Sequence, residues 1–301
     1  MQKHIDQNTL IESLTRRYEH IPEERRNKII CDISLLHDEV KNLVADPTFN
    51  KALLNGDKAA FQQRYWEMLL AHHLMQIGVR VSHESSGPDF GFALDGRRIW
   101  IEAVAPDRSQ DIDNFYKLEA ENRSAWFKAD IFYLRWTQAI IEKINKFTIY
   151  INQGRIRAGD ICIIAVNSGI LGSLGMTGKS TYPILIDVVF GVGAEYVTID
   201  QYSSVVIDQG YRIEPTVAKT NRSTVPKNIF MDKKSSYISA ILACGSTPEI
   251  WTPFIIAYNP LADNPLARGR IGADWEYYAE NCGEHLEIKT GRAVSLRREI
   301  K

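Results

Sequence analysis

The apolar and polar positions of residues 8 to 77 predict helix for most of that length. Asn8-Thr9 offers a cap for a first helix, and Ile21-Pro22-Glu23-Glu24 opens a second, with proline early in the turn and acids beside it. The pattern changes to alternation between residues 79 and 105, within the stretch GPDFGFALDGRRIWIEAVAP of residues 87 to 106. Residues 107 to 128 are polar and mixed and predict a helix or an excursion. A helix follows over residues 131 to 149, and the turn-like Gly159-Asp160 leads into ICIIAVN, residues 161 to 167, a short buried strand. Further on, YPILIDVVFGVG, YISAILAC and PFIIAYN read as strands that could extend a central sheet, the last two joined through Gly245-Ser246-Thr247-Pro248. The expected fold class is α/β: a mixed central sheet flanked by helices, with a helical region over residues 1 to 60 and an α/β domain over residues 61 to 301.

The alternating stretch fixes its own register. Asp95-Gly96 supplies the positive φ angles of a two-residue hairpin turn. Counting outward, Leu94 opposes Arg97, Phe92 opposes Ile99, Phe90 opposes Ile101, and Asp89 falls opposite Glu102. Phe90, Phe92, Leu94, Ile99, Ile101 and Ala103 then share an apolar face, while Asp89, Gly91, Trp100, Glu102 and Val104 share the other. Directly opposed β-carbons lie about 4.5–5.5 Å apart, and like charges at that spacing destabilise a sheet. The pair therefore asks for a cation.

These residues resemble the PD-(D/E)XK nuclease superfamily, whose restriction-endonuclease-like core carries one carboxylate on a strand and an acidic-x-lysine triplet on the next. Pro88-Asp89 matches the first half and Glu102-Ala103-Val104 the second, with valine where the family has lysine. Glu67, in the predicted helix QRYWEMLLAHHLMQIG, stands where the family places a third acid. The resemblance covers roughly residues 61 to 166 and rests on a short motif. It implies phosphodiester hydrolysis of nucleic acid, with DNA the expected form, assisted by Mg²⁺ or Mn²⁺. By that resemblance Asp89, Glu102 and the Ala103 carbonyl would hold the ion, and Glu67 would orient a water or hold a second ion. A fold kept for binding nucleic acid or protein without cleavage is the alternative, because Val104 can neither activate water nor stabilise phosphate charge.

Each candidate also has a structural reading. Glu67 lies among Trp66, Leu70, Ala71 and Leu74, where it either serves the site or pairs with Arg64. Gly-Pro-Asp is ordinary turn chemistry for Asp89. Glu102 is the one acid in an otherwise interior strand. Lys143, on the stripe of Trp136, Ala139, Ile140 and Phe147, is a candidate replacement for the missing lysine, or it snorkels to water. Arg135 and Gln138, on a more polar face of that helix, are candidate phosphate contacts or part of a solvated surface.

Composition adds limits rather than signals. The 36 basic and 37 acidic residues among 301 leave a net charge of −1, so attraction to nucleic acid must come from a local surface. The four cysteines are dispersed without a CxxC pair, which fits a reducing compartment, with three expected as small core residues. No stretch has the length and apolarity to cross a membrane, and the polar first residues do not read as a signal peptide, so a cytoplasmic protein is expected. The Gly172 to Ser180 loop misses the phosphate-loop spacing: Gly172 is one residue too far from Gly178-Lys179-Ser180 and Gly175 two too near. His72 and His73, adjacent on a helix, point to different sides, and the basic tail of Lys289, Arg292, Arg297, Arg298 and Lys301 could touch a phosphate backbone.

Overall fold

The computed structural model describes residues 4–44, 46–82, 87–121, 127–281 and 286–292. Four helices come first: α1 (Gln7–Arg17), α2 (Glu23–Val44), α3 (Pro47–Asn55) and α4 (Lys58–Gln76). Asp6, rather than Asn8-Thr9, caps α1, its side chain accepting from the Thr9 N–H, and Asp57 does the same for α4 through Ala60. The hairpin forms from β1 (Phe90–Leu94) and β2 (Arg97–Val104), with Phe90 opposite Ile101 and Leu94 opposite Arg97 as the Asp95-Gly96 turn requires. Asp95 and Gly96 both have positive φ, 51° and 75°.

After α5 (Gln110–Ala120) and α6 (Ala129–Asn152), β3 (Ile161–Asn167) returns parallel to β2. Seven strands make one mixed sheet in the order β1-β2-β3-β8-β9-β10-β11, where β8 is Ile238–Cys244, β9 Ile255–Tyr258, β10 Trp275–Asn281 and β11 Leu286–Arg292. β3 and β8 are parallel neighbours, buried along their whole length, as strands covered on both faces are.

Two apolar cores lie against the sheet. One joins Leu14, Ile33, Phe49 and Trp66 of α1 to α4 with Phe92, Ile101, Ala103 and Ile163. The other joins Trp136, Ile140 and Phe147 of α6 with Trp100, Ile164 and Ile241 on the opposite face. The Trp66 indole N–H donates to the Ala165 carbonyl at 3.1 Å, so α4 is fixed to β3 by a hydrogen bond as well as by packing. Residues from the helical region 1–60 and from the sheet thus share one core.

YPILIDVVFGVG is the main departure from expectation. It forms α7 (Ile184–Phe190) followed by β4 (Val192–Ile199), which pairs with β5 (Val206–Ile213) outside the central sheet. Every residue of α7 is buried, so its sequence has no polar face to reveal a helical period, and its β-branched residues imitate a strand. Pro183 precedes the helix and Gly191, at φ 73°, ends it in the left-handed conformation. A second small pair, β6 (Thr216–Ala218) with β7 (Thr224–Pro226), also stands apart.

Cys162 and Cys244 are buried and fill core space, Cys31 is exposed, and Cys282 lies outside the described residues. Among the described residues no helix is long and apolar enough to cross a membrane.

Candidate functional site

The site exists because β1 is shorter than β2. β1 begins at Phe90, opposite Ile101, so the edge of β2 beyond that point has no strand partner. Exposed or buried, such backbone groups need partners. Side chains supply them: the Ala103 N–H donates to Asp89 Oδ2 at 2.7 Å, the Gln63 Nε2 donates to the Ala103 carbonyl at 3.2 Å, and the Ala105 N–H donates to Gln63 Oε1 at 2.7 Å. The Gln63 carboxamide imitates the two-bond pattern of a neighbouring strand. Gln63 Nε2 also reaches Glu67 Oε1 at 2.9 Å, one helical turn along α4.

Glu102 projects from the other face of β2 toward α6 and has no exposed surface. Its Oε2 accepts from Lys143 Nζ at 2.5 Å and from Lys146 Nζ at 3.3 Å. Lys143 Nζ is also 3.5 Å from Asp89 Oδ2, so one ammonium joins the two opposed carboxylates. The cation demanded by the hairpin register is Lys143. Its stem packs on the stripe with Trp136, Ile140 and Phe147, but its head turns inward rather than to water.

Burial and then the Asp89 charge push the Glu102 carboxyl above the ordinary glutamate range, an effect that Lys143 and Lys146 oppose. Burial works against the Lys143 ammonium, but Asp89 and Glu102 together outweigh it and hold its pKa above the usual value. Tyr150, two turns beyond Lys143, feels the same carboxylate: burial, the Glu102 charge and a hydrogen bond to Glu102 push its phenol up to about 12. Glu102 Oε1 is buried and meets no donor at regular hydrogen-bond geometry among the described residues, so the Tyr150 hydroxyl satisfies the carboxylate only weakly.

Glu67 is buried, and its oxygens accept from Arg64 Nη1 at 2.9 and 2.7 Å as well as from Gln63. Burial raises its pKa, Arg64 opposes that, and the Asp89 charge adds to it, so the three acids are electrostatically linked. The pairing with Arg64 and the link to Asp89 are both present. Among the described residues no group of three or more histidine, cysteine, aspartate or glutamate side chains is placed to hold a metal ion. The fit of a hard cation rests instead on oxygen chemistry: the weakly satisfied Glu102 Oε1, the Asp89 carboxylate and the adjoining Ala103 carbonyl.

No family model matches the chain, nor does any curated protein or solved structure. The functional reading therefore rests on geometry and on the short motif.

Other candidates lie apart from this cluster. Arg135 donates from Nε to the Asp107 carbonyl and from Nη1 to Gln138 Oε1 at 2.9 Å, and Gln138 donates to Glu142 at 2.9 Å. His72 pairs with Glu39 at 2.9 Å, whereas His73 meets the Ile271 carbonyl and stacks on Phe254, so the two do diverge. In the glycine-rich loop the buried Asp187 carboxylate accepts from the Lys179 N–H at 3.0 Å, the Ser180 N–H at 3.3 Å, and the Ser180 and Tyr133 hydroxyls. A carboxylate of the chain itself takes the donors that a phosphate would need. Lys289 pairs with Glu280 at 2.6 Å and Arg292 lies over Trp275, while Arg297, Arg298 and Lys301 fall outside the described residues.

Gln63, Lys146 and Tyr150 are the participants that sequence reasoning missed. Lys146 and Tyr150 follow Lys143 at three and seven residues, the spacing of one helix face, and that spacing was the available signal. Gln63 precedes Glu67 by four residues, but its role depends on where β1 begins.

Proposed function

We propose that this chain is a metal-dependent phosphodiesterase acting on nucleic acid, DNA being the expected form, on a restriction-endonuclease-like core. The observation that carries the reading is Lys143: an ammonium from α6 meets Glu102 and Asp89, making good in space the lysine that Val104 replaces in sequence. The order α4, β1, β2, α6, β3, with β2 and β3 parallel, supports it as well.

Asp89, Glu102 and the Ala103 carbonyl would hold Mg²⁺ or Mn²⁺, the ion supplying a water of lowered pKa and positive charge opposite the phosphate. The remaining work belongs to the protein. Lys143 neutralises the acidic pair while the site is at rest and donates a hydrogen bond to a phosphate oxygen when substrate arrives. Gln63 holds the Ala103 carbonyl in place, and Glu67, fixed by Arg64, holds Gln63. Glu67 is thus read as a positioning residue, and Arg135 and Gln138 as outlying phosphate contacts.

One observation favours the alternative of a binding module without cleavage: two carboxylates and two lysines already satisfy much of each other's charge. Cleavage of single- and double-stranded DNA and RNA with Mg²⁺ or Mn²⁺ separates the readings. The proposal expects metal-dependent cleavage that Glu102→Gln abolishes and that Lys143→Met slows by about 10²–10³. Absence of cleavage by the wild type across these substrates and metals assigns the fold to binding alone.

A further inference from the structure

A cavity of about 710 Å³ opens beyond the carboxyl ends of the parallel neighbours β3 and β8. The volume suits one small organic molecule. Its floor is backbone: Gly169 lies so close to the Ser246 carbonyl that a β-carbon there would sit 2.3 Å from that oxygen, so only glycine lets the two loops meet. Arg17 from α1, Lys58 from the first turn of α4 and Arg108 from the segment after β2 line one wall. Ile250 supplies exposed apolar surface, while Phe61 and Ile170 line the cavity as buried side chains and the Arg17 guanidinium lies 4.2 Å from the centre of the Phe61 ring.

The charges do not balance within the cavity. Against three cations stands one lining carboxylate, Glu249, which is already paired with Arg25 at 3.0 Å. Arg17 donates to the Gly56 carbonyl at 2.6 Å, but its buried Nε has no partner among the described residues. Arg108 donates to the Ile170 carbonyl, lies over Tyr116 and pairs loosely with Asp113 at 3.7 Å, a carboxylate outside the cavity lining. The Lys58 side chain is exposed and makes no hydrogen bond or ion pair among the described residues. Partial desolvation and then the charge of Arg108 lower its pKa, with Asp113 and Glu249 opposing, so a bound anion would offset the repulsion between the two cations.

We infer that this cavity binds a nucleoside phosphate, with the phosphate held by Lys58, Arg108 and Arg17 and the flatter, less polar body against Phe61, Ile170 and Ile250. A phosphate dianion matches a cluster of cations that a carboxylate would only partly neutralise, and charge-assisted bonds to guanidinium are the strongest available there. The inference does not depend on the acidic centre, since none of its residues belongs to that cluster.

Calorimetric titration with adenosine 5′-monophosphate, adenosine and inorganic phosphate tests it without reference to cleavage. Adenosine 5′-monophosphate should bind at least about tenfold more tightly than adenosine, and Lys58→Gln should weaken it about tenfold, with Lys58→Glu removing binding. Melting temperatures of both variants serve as the folding check, the Lys58 side chain having no hydrogen-bond or ion-pair partner to lose among the described residues. A 5′-phosphorylated oligonucleotide that displaces the nucleotide identifies a chain end as the source, and failure to displace it identifies a free nucleotide. Equal affinity for adenosine and its monophosphate, unchanged affinity in Lys58→Glu, or no binding at millimolar nucleotide overturns the inference.

Discussion

Glu102 is central to the site, because it is buried and its Oε1 meets no donor at regular hydrogen-bond geometry among the described residues. Its folded pKa lies above the ordinary value of 4.5, so the fold favours the protonated form. Stability from this group is fully present below the unfolded pKa and is lost as pH rises through the raised folded value. Lys143, raised above 10.5, behaves the other way in range: its contribution is intact at neutral pH and is lost only as pH climbs beyond that. The wild type should therefore lose stability relative to Glu102→Gln as pH rises above the ordinary glutamate range, read as urea midpoints of the two proteins, and parallel profiles would contradict the shift. Gln63→Leu should cost about 1–3 kcal/mol, since it strands the Ala103 carbonyl and the Ala105 N–H, and the same urea series measures it. The approach of Asp89 to Glu102 was legible in part: the two-residue turn sets the register as far as Phe90 opposite Ile101, but Asp89 lies outside β1, accepts from the Ala103 N–H and meets Glu102 through Lys143. Lys143 was legible as an oddity, a lysine on an apolar stripe, but the direction of its ammonium was not, because no local rule states how α6 aligns with β2.

Elements repeat that lesson. ICIIAVN forms β3 at the expected residues, bounded by a turn and covered on both faces. α7 was illegible for the same reason that β3 was clear: complete burial erases the period, and only Pro183 and Gly191 mark the ends. Its Asp187 organises the glycine-rich loop, which no spacing rule anticipates. Asp187→Ala should leave the Ser180 amide and the Ser180 and Tyr133 hydroxyls without this acceptor, the Lys179 amide keeping the Tyr133 oxygen at 2.6 Å, and cost about 3 kcal/mol or more. Hydrogen exchange at the Ser180 amide reports the effect directly. Retained protection there would mean that the loop is ordered by its own turns.

For the whole molecule, one sheet with an apolar core on each face sets the frame in which the site is held. The α1 to α4 layer was visible as helices, but its place as the cover of one sheet face was not, because long-range packing leaves only an amphipathic pattern in sequence. A net charge of −1 means that any polyanion must be recognised locally, by the lysines of α6 or by the cations of the cavity beyond β3 and β8. Everything proposed for the site requires that Asp89 and Glu102, bridged by Lys143 at rest, take a divalent cation. Mn²⁺ titration, followed by its electron paramagnetic resonance signal in wild type, Asp89→Asn, Glu102→Gln and Lys143→Met, reads this without any substrate. Binding should be saturable in wild type, lost in both carboxamide variants because charge goes while shape stays, and near the wild-type level in Lys143→Met. Equal Mn²⁺ affinity in the wild type and both carboxamide variants would rule the cation site out.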